Sequence, residues 1–326
     1  MSDKVTILDV AKKSGFGVGT VSRVISGDKY VKESTRKTIL KVIEELNFSP
    51  NVNGARLRKK HNKVIAILVP IINHPFFAEF VEHVNNIAST KGYSTLLVVS
   101  RMNVDKEKEI LRKIRQKEVD GAIFVTHYEH EDEEIHGLPL VSVDRHLNHS
   151  VPYVSSDNYD ASKKAVEYLV STGAKKIGYI GTKPFVDSEV SFREKAYQDV
   201  VSGHHLKSYI TNEVVEHGDE EKMVDKFLSS YPDLDAVFAS GMTTAQIVYQ
   251  KLKKKGIRFP EDVQLIGYDG EPKLWDDHEI TISSIQQPIK EMAEGAFNLL
   301  IDVINGKETQ IRNIYTSTFI KGNTTK

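Results

Sequence analysis

The hydrophobic period of the chain changes at Lys63, and this change limits the folds that the chain can adopt. Before Lys63, apolar residues recur at helical spacing, as Ile39, Val42 and Ile43 do. After it, Val64–Val69 is a continuous apolar run, which is typical of a parallel strand buried on both faces. We therefore expect an all-helical head followed by an α/β body, and 326 residues suffice for two or three domains.

The two parts differ in charge as well as in period. Residues 1–63 hold 14 Lys and Arg against 6 Asp and Glu, a net charge of +8. Residues 64–326 hold 30 against 39, a net charge of −9. The near-zero total of 44 − 45 = −1 hides this division. A basic head on an acidic body indicates that the head faces a polyanion and that the body has another task.

Several protein classes are excluded at once. The chain contains no cysteine, which excludes disulfides, thiolate metal sites and cysteine nucleophiles. Its first residues lack the apolar stretch of a secretory signal. The longest apolar run, residues 64–72, has nine residues including a proline, about half the length of a membrane span. We expect a cytoplasmic protein.

The head has the pattern of three short helices. Thr6 followed by Asp9 is typical of a helix start, with a hydroxyl cap and an acid in the first turn. Residues 14–17 contain two glycines that end this helix, and a second helix is predicted over residues 18–26. A third contains Ile39 and Leu46 on its apolar face. Two short helices joined by a tight glycine turn indicate a helix-turn-helix over residues 1–48.

The second predicted helix keeps small or hydrogen-bonding residues outside. They cluster near its N-terminal end and are Val18, Gly19, Thr20, Ser22 and Arg23. A recognition helix needs such residues to reach base edges in the major groove. Arg23 can contact a guanine or only a phosphate. The alternative is a small solvated bundle in which Arg23 is a surface charge.

Residues 49–63 form a polar, cationic connector. It contains Arg56 and one prominent hydrophobe, Leu57. A plain linker has no need of this leucine, whereas a minor-groove wedge requires one. We predict that Leu57 inserts between base pairs.

These motifs together resemble the LacI/GalR family of bacterial transcriptional regulators. The resemblance rests on residues 5–11, 20–25, 35–36 and 50–51 and continues through the whole chain. It implies a homodimer on near-palindromic double-stranded operator DNA, one head per half-site, and a connector that becomes a hinge helix on DNA. The positions it assigns to DNA are Thr6, Gly17, Val18, Gly19, Thr20, Ser22, Arg23, Thr35, Asn51, Arg56 and Leu57.

The head departs from the family pattern at several positions. Gly17 stands where a serine usually starts the recognition helix, and Lys32 replaces the usual cap of the third helix. Gly19 and Gly54 occupy helical positions where alanine is common, and each glycine costs about 1 kcal/mol of helix stability relative to alanine. Operator sequence and affinity are the properties that these changes affect.

The body alternates strands and helices in two rounds, which predicts two parallel-sheet subdomains. The resemblance implies a periplasmic-binding-protein-like architecture with a ligand cleft between the two lobes. We expect the first lobe to comprise residues 64–157 and 286–314, and the second residues 158–285 and 315–326. The last helix, residues 289–303, is predicted to return to the first lobe.

Ligands of open α/β folds bind beyond the carboxyl ends of strands. Asp144 and Asp269 each follow a predicted strand, Arg193 lies early in a helix, and His74 and Phe77 follow the first strand. Carboxylates and a guanidinium hydrogen-bond vicinal hydroxyls, and rings cover the C–H faces of a sugar. Taken alone, either aspartate is more readily explained as a helix or turn cap than as a ligand-binding residue. The resemblance assigns these five residues to a small carbohydrate effector.

The effector site also departs from the family. His74 replaces a common asparagine, and Gly241-Met242 replaces an Asn-Asp pair, so one hydroxyl-binding amide is absent. Residues 154–158, 267–270 and 285–289 look most like those of sucrose-operon repressors. We therefore predict a sugar or sugar phosphate, with a sucrose-related one as the first candidate.

Other motifs do not lead to an enzyme, and we expect neither a cofactor nor a metal. The glycines of residues 15–19 lack the spacing and the preceding strand of a dinucleotide fingerprint. His127, His130 and His136 lie among acidic residues, which indicates a solvated loop or short helix. No nucleophile elbow, phosphate loop or metalloprotease signature occurs.

Four functions remain to be compared. The first is a dimeric repressor whose operator binding responds to a sugar. The second is a plain sugar-binding protein, against which the basic head and the missing signal segment count. The third is an α/β enzyme, which no catalytic constellation supports. The fourth is a global carbon regulator that needs a phosphorylated protein co-regulator.

Overall fold

The chain divides into two compact units, residues 1–62 and 63–326. The computed structural model describes residues 5–25, 28, 30–48, 61–125, 128–183, 188–213, 219–270 and 281–326. The division coincides with the change in hydrophobic period at Lys63. None of the helices within these ranges is long and apolar enough to cross a membrane.

The first unit contains the three helices predicted for the head. They are α1 (Ile7–Ser14), α2 (Val18–Ile25) and α3 (Glu33–Glu45). The Asp9 carboxylate accepts hydrogen bonds from the Thr6 N–H and hydroxyl at 2.8 and 2.7 Å, which fixes the start of α1. Gly15 ends α1 at φ 75°, a left-handed conformation that glycine adopts without strain. The helix-turn-helix prediction is confirmed.

A small apolar core holds the three helices together. It consists of Val10, Ala11, Val21, Val24, Ile39, Val42 and Phe48. Together with the partly buried Ile7, Ile25 and Ile43, the core residues of each helix recur at three- and four-residue intervals, so each helix turns one stripe inward.

The second unit consists of two lobes, each built on a six-stranded sheet. The elements of the first part of the chain are β1 (Val64–Val69), α4 (Pro75–Thr90), β2 (Ser94–Val99), α5 (Val104–Arg115), β3 (Gly121–Phe124), α6 (Asp132–Ile135), β4 (Leu140–Val143) and β5 (Tyr153–Ser156). The sheet of this first lobe has the strand order β11-β5-β4-β3-β1-β2, where β11 (Arg312–Tyr315) comes from near the end of the chain. All of its strand pairs are parallel.

The second lobe repeats this arrangement. Its elements are α7 (Asn158–Ser171), β6 (Ile177–Thr182), a 3-10 turn (Glu189–Ser191), α8 (Phe192–Gly203), β7 (Tyr209–Glu213), α9 (Glu220–Ser230), β8 (Ala236–Ala239), α10 (Met242–Lys254), β9 (Gln264–Tyr268), β10 (Ser283–Gln286) and β12 (Thr318–Ile320). The strand order is β12-β10-β9-β8-β6-β7. Only β12 runs antiparallel to its neighbour, β10.

The chain crosses between the lobes three times: between β5 and α7, between β10 and α11 (Ile289–Ile304), and between β11 and β12. Helix α11 packs in the core of the first lobe, with Met292 and Phe297 beside Ile65 and Val143. It therefore returns to the first lobe, as predicted. The boundaries expected near residues 285 and 314 each lie one residue before the observed ones, because Gln286 pairs in the second sheet and Tyr315 in the first.

Some elements differ from the sequence prediction. Five strands (β5, β7, β10, β11 and β12) are not indicated by the hydrophobic pattern, because they are short and most carry polar residues. Helix α8 begins at Phe192, directly after the 3-10 turn. The histidine-rich acidic segment is not wholly solvated, because the side chain of His130 is buried with its Nε2 2.7 Å from Glu107 Oε2.

Candidate functional site: a helical DNA-reading face and an interlobe cavity

The exposed face of α2 carries most of the residues assigned to DNA. Val21 and Val24 of this helix are buried, so the opposite face is left in solvent. Gly17, Val18, Gly19, Ser22 and Arg23 are exposed, and Thr20 is half-buried. The side chains there are small apart from Arg23, so a nucleic-acid backbone or base edge can approach closely.

Thr6, Gly17 and Thr35 lie at or near the starts of the three helices. Thr6 is exposed next to α1, and Thr35 is half-buried in the first turn of α3. The carbonyl of Gly17 accepts the N–H of Thr20 at 2.8 Å, so this glycine occupies the capping position of α2 without a side chain. Lys32 caps α3 without a side-chain hydrogen bond. The helix starts leave N–H groups available to phosphate oxygens.

The hinge assignments Asn51, Arg56 and Leu57 lie outside the described residues. The wedge role of Leu57 therefore remains a prediction from sequence.

All five residues assigned to the effector line one cavity between the lobes of the second unit. The cavity encloses about 240 Å³. Asp144, His74 and Phe77 come from the first lobe, and Arg193 and Asp269 come from the second. A ligand in this cavity would contact both lobes, so its binding can favour one lobe arrangement over another.

Asp144 and Asp269 occupy equivalent places in the two lobes. Asp144 follows β4 at φ 59° and Asp269 follows β9 at φ 64°. A residue other than glycine seldom adopts this left-handed conformation, although aspartate tolerates it better than most. The turn directs each aspartate to the carboxyl end of its sheet, where open α/β folds bind ligands.

Asp144 is held in a buried environment. Its carboxylate accepts the Ser155 hydroxyl at 2.7 Å, and its N–H donates to the Val154 carbonyl at 2.9 Å. Only 6% of the residue is exposed. Burial raises the pKa of Asp144 to about 6, although the Ser155 hydrogen bond and the Arg193 charge act in the opposite direction. The protonation of this group therefore changes near neutral pH.

Arg193 is a buried cation of the cavity, with 3% of the residue exposed. Its Nε donates to Asn158 Oδ1 at 2.6 Å and its Nη1 to the Ser240 carbonyl at 2.7 Å. Its guanidinium lies 3.5 Å from the ring centroid of Tyr268, and Nη1 is 3.5 Å from Asp269 Oδ2. Burial acts to lower the pKa of Arg193, but Asp269, Tyr268 and other neighbours outweigh it and raise the pKa.

The aromatic wall of the cavity comes from the start of α4. His74 precedes this helix, and Pro75 occupies its first position. The His74 and Phe77 rings have centroids 5.2 Å apart, and Phe76 lies edge-on to Phe77 at 5.4 Å. Rings and carboxylates on the wall of one cavity form an amphipathic site, in which rings can cover C–H groups and carboxylates can bind hydroxyls.

The sequence prediction omitted several polar residues of the cavity wall. They are Arg145, Thr182, Glu220, Ser240, Thr243, Thr244 and Gln287. Arg145 could have been included because it follows Asp144 directly. Gln287 lies just beyond β10, and its Nε2 donates to Asp269 Oδ1. Gly241, which replaces a family amide, lies on the wall as well. Within the described ranges, no group of three or more His, Asp or Glu residues is placed to hold a metal ion.

Comparison with known proteins agrees with both units. Residues 6–51 match the lacI family of bacterial regulatory proteins, and residues 166–325 match a periplasmic binding protein-like domain. The ribose operon repressor of Halalkalibacterium halodurans is 31% identical over 93% of this chain and 91% of that protein. The sucrose operon repressor of Pediococcus pentosaceus is 28% identical over 96% of each.

Among solved structures, the CelR–cellobiose complex of a transcriptional regulator is 25% identical and aligns with a TM-score of 0.72. The alignment covers 98% of this chain and 99% of that chain. These alignments thus span both units of the chain. The chain belongs to the lacI family of bacterial regulatory proteins.

Proposed function

We propose that this protein is a sequence-specific repressor of a carbohydrate-utilisation operon, controlled by a small sugar or sugar phosphate in the interlobe cavity. The observation that carries the proposal is the set of buried Arg193, buried Asp144 and half-buried Asp269 on the wall of a cavity to which both lobes contribute. The same chain carries an exposed helix-turn-helix face. Relatives named as ribose and sucrose operon repressors support the sugar class.

The chemistry of the cavity favours a polyhydroxylated ligand. Two carboxylates accept hydrogen bonds from vicinal hydroxyls, and Arg193 donates to ring or hydroxyl oxygens. The Phe77 ring covers the C–H face of such a ligand. Arg145 on the same wall provides a second guanidinium. A guanidinium binds phosphate oxygens in a bidentate manner, so the cavity also suits a phosphorylated sugar.

The partners follow from the head. Its exposed α2 face fits the major groove of double-stranded operator DNA. A single head reads only one half-site, so we infer a homodimer on a near-palindromic operator. We place the protein in the cytoplasm, where it has access to DNA. It needs no catalytic activity for this role.

Two other functions make different predictions. A plain sugar-binding protein would have no use for the helix-turn-helix. A global carbon regulator would bind its operator only with a phosphorylated protein co-regulator.

Fluorescence anisotropy of labelled DNA from upstream of the gene tests the proposal. The full-length protein is titrated onto this DNA and onto a shuffled sequence of the same length, at two salt concentrations. Sucrose, fructose, ribose, maltose and their phosphates are then added one at a time.

We expect a preference for the upstream DNA and a change in affinity with one sugar. Equal binding to both DNAs at every salt concentration would contradict the repressor assignment. Tight specific binding that no sugar changes would contradict the effector assignment. Specific binding that appears only with a phosphorylated partner protein would favour the global regulator.

A further inference from the structure

A chain of largely buried polar contacts, one ion pair and three hydrogen bonds, connects the two left-handed aspartates of the cavity. From the second lobe to the first it runs through Asp269, Arg193, Asn158, Ser155 and Asp144. Two of its inner members, Asn158 and Ser155, are not on the cavity wall. The chain passes beside the first crossing between the lobes, because Ser155 belongs to β5 and Asn158 begins α7.

In the second lobe, the polar contacts of this series fix the position of Arg193. Asn158 is 1% exposed, and its Oδ1 accepts the Arg193 Nε at 2.6 Å. The Ser240 carbonyl holds Nη1 of the same guanidinium. With Nε and Nη1 both fixed, the plane of the guanidinium has one orientation, and Asn158 supplies the contact on the Nε side.

The contacts toward the first lobe begin at Nδ2 of the same Asn158 amide. Asn158 Nδ2 lies 3.2 Å from Ser155 Oγ, 3.0 Å from the Ser156 carbonyl and 3.2 Å from Ser156 Oγ. Ser155 in turn donates to Asp144 Oδ1 at 2.7 Å. A displacement of Arg193 by a ligand would take from Asn158 Oδ1 this partner, and a reorientation of the amide would then alter the Ser155 hydrogen bond and, through it, that of Asp144.

Burial makes such a chain sensitive to displacement. A buried polar group that loses its partner costs about 1–3 kcal/mol, so intermediate arrangements with one broken link are disfavoured. A chain of this kind tends to be either fully paired or rearranged as a unit. This property suits a connection between two lobes that adopt discrete arrangements.

We propose that Asn158 and Ser155 are positioning residues that couple the effector cavity to the arrangement of the lobes. Asn158 orients Arg193 for the sugar, and Asn158 with Ser155 connects Arg193 to Asp144 across the first crossing. The inference rests on the proposed function, since it requires a sugar that changes operator affinity.

The test uses three variants, each of which removes a different contact of this polar chain. Asn158→Ala removes both the acceptor Oδ1 and the donor Nδ2 of the side-chain amide. Asn158→Asp keeps an acceptor for Arg193 and removes the donor to Ser155. Ser155→Ala removes the donor to Asp144 and leaves the contact between Asn158 and Arg193. For each full-length variant, calorimetry gives the sugar Kd, and anisotropy gives the operator Kd with and without saturating sugar.

We expect the variants to differ in which quantity they change most, the sugar affinity or the coupling between sugar and operator. Asn158→Ala weakens sugar binding about tenfold or more, because it removes a hydrogen bond to a buried charge. Ser155→Ala, which leaves the contact between Asn158 and Arg193 in place, changes the sugar Kd less than Asn158→Ala does. Asn158→Asp and Ser155→Ala both bring the coupling ratio, the operator Kd with sugar divided by that without, about two- to thirtyfold closer to one.

Ser142→Ala is the matched control. Ser142 is fully buried on β4, two residues before Asp144, and its hydroxyl makes no hydrogen bond to the residues that the structure describes. This variant makes the same chemical change one strand away and should leave both the sugar Kd and the coupling ratio unchanged.

Three results would overturn the inference. The first is a full coupling ratio in both Ser155→Ala and Asn158→Asp. The second is a wild-type sugar Kd in Asn158→Ala. The third is an equal loss in Ser142→Ala, which would indicate general destabilisation. If the wild type itself binds no operator, or no sugar changes its affinity, the proposed function fails first and the coupling with it.

Discussion

The head and the body differ in the exposure of the cations on which their functions depend. In the head, the exposed cations include Lys12, Lys13, Arg23, Lys37 and Lys41. In the body, Arg193 is buried and contacts an amide, a carbonyl, a carboxylate and an aromatic ring. Exposed cations act on a polyanion together, through a field that salt screens. A buried cation with fixed partners acts alone and discriminates between ligands by geometry.

This difference indicates how much each unit depends on a single side chain. Removal of one exposed head cation removes one of many weak contacts, except where that cation reads a base. Removal of one partner from the buried set leaves a charge without compensation. The predictions below test this contrast, beginning with the largest expected effect.

Asp269→Ala should have the largest effect, on sugar binding. It removes the carboxylate 3.5 Å from the Arg193 guanidinium and, on the proposed function, a charged acceptor of sugar hydroxyls, and hydrogen bonds to charged groups contribute about 1.5–3 kcal/mol. We expect the sugar Kd, measured by calorimetry, to rise by about 100-fold or more. Operator affinity without sugar should stay within about threefold of the wild type.

Asp302→Ala is the control for this change. Asp302 is a half-exposed carboxylate on α11 that pairs with Lys307 at 2.6 Å, so its removal should leave sugar binding intact. A wild-type sugar affinity in Asp269→Ala would remove Asp269 from the effector site and would weaken the contrast between buried and exposed charges.

Asp144→Asn should change how stability depends on pH. Burial raises the pKa of Asp144 from 3.8 to about 6, so between these values the folded protein binds a proton that the unfolded chain does not. The wild type therefore loses up to about 3 kcal/mol of unfolding free energy as pH rises from about 4 to about 6. Asparagine does not titrate, so the variant lacks this loss.

Guanidinium denaturation of both proteins between pH 4 and pH 8 measures the effect. The unfolding free energy of the variant minus that of the wild type should increase up to about pH 6 and then stay level. A difference that is constant over the whole range would mean that Asp144 titrates normally in the folded protein.

Arg23→Ala tests whether the head contains a cation that acts alone. If Arg23 reads a guanine, its removal should cost about 1–3 kcal/mol on the operator, or about 5- to 150-fold in Kd, and little on shuffled DNA. If it contacts only phosphate, both DNAs should bind more weakly by a similar factor, and the salt slope should fall by about one. Anisotropy on both DNAs decides between these outcomes.

Lys37→Ala, at an exposed cation on α3, is the reference for this measurement. It should weaken binding to both DNAs to a similar, small extent. An operator-specific loss in this variant as large as that in Arg23→Ala would show that specificity is not concentrated on α2.

Gly17→Ser should have the smallest effect. A side chain at Gly17 meets no atom within 4 Å, and a serine at this capping position can accept an N–H of the first turn of α2. The expected gain over glycine is a few tenths of a kcal/mol, or about a twofold increase in hydrogen-exchange protection of the α2 amides. Gly203→Ser, at an equally open position in α8, should leave α2 protection unchanged.

The sequence predicted those elements whose burial is purely apolar. The strand Val64–Val69 and the inward stripe of α3 agree with the structure because side-chain period alone determines them. Strand β5 was missed because Ser155 and Ser156 are fully buried yet polar. Their burial depends on Asp144 and Asn158, which meet them only in the folded chain.

The same distinction applies to the residues that line the cavity. Asp144 and Asp269 could be located because each ends an apolar strand. Gln287 and Glu220 could not, because their places on the wall depend on how the two lobes face each other. Asn158 was noticed only as part of a family motif, since nothing in its sequence context indicates that it holds an arginine 35 residues away.

The three crossings have a consequence for recombination between relatives. Neither lobe is a continuous piece of gene, because the first lobe takes back α11 and β11 after the second lobe has begun. A chimera with one breakpoint would combine strands of one parent with crossing helices of the other. An exchange of a whole lobe needs breakpoints near residues 157, 287 and 316, which all lie in the segments that cross between the two lobes. Effector specificity is therefore expected to change by point substitution more readily than by transfer of segments.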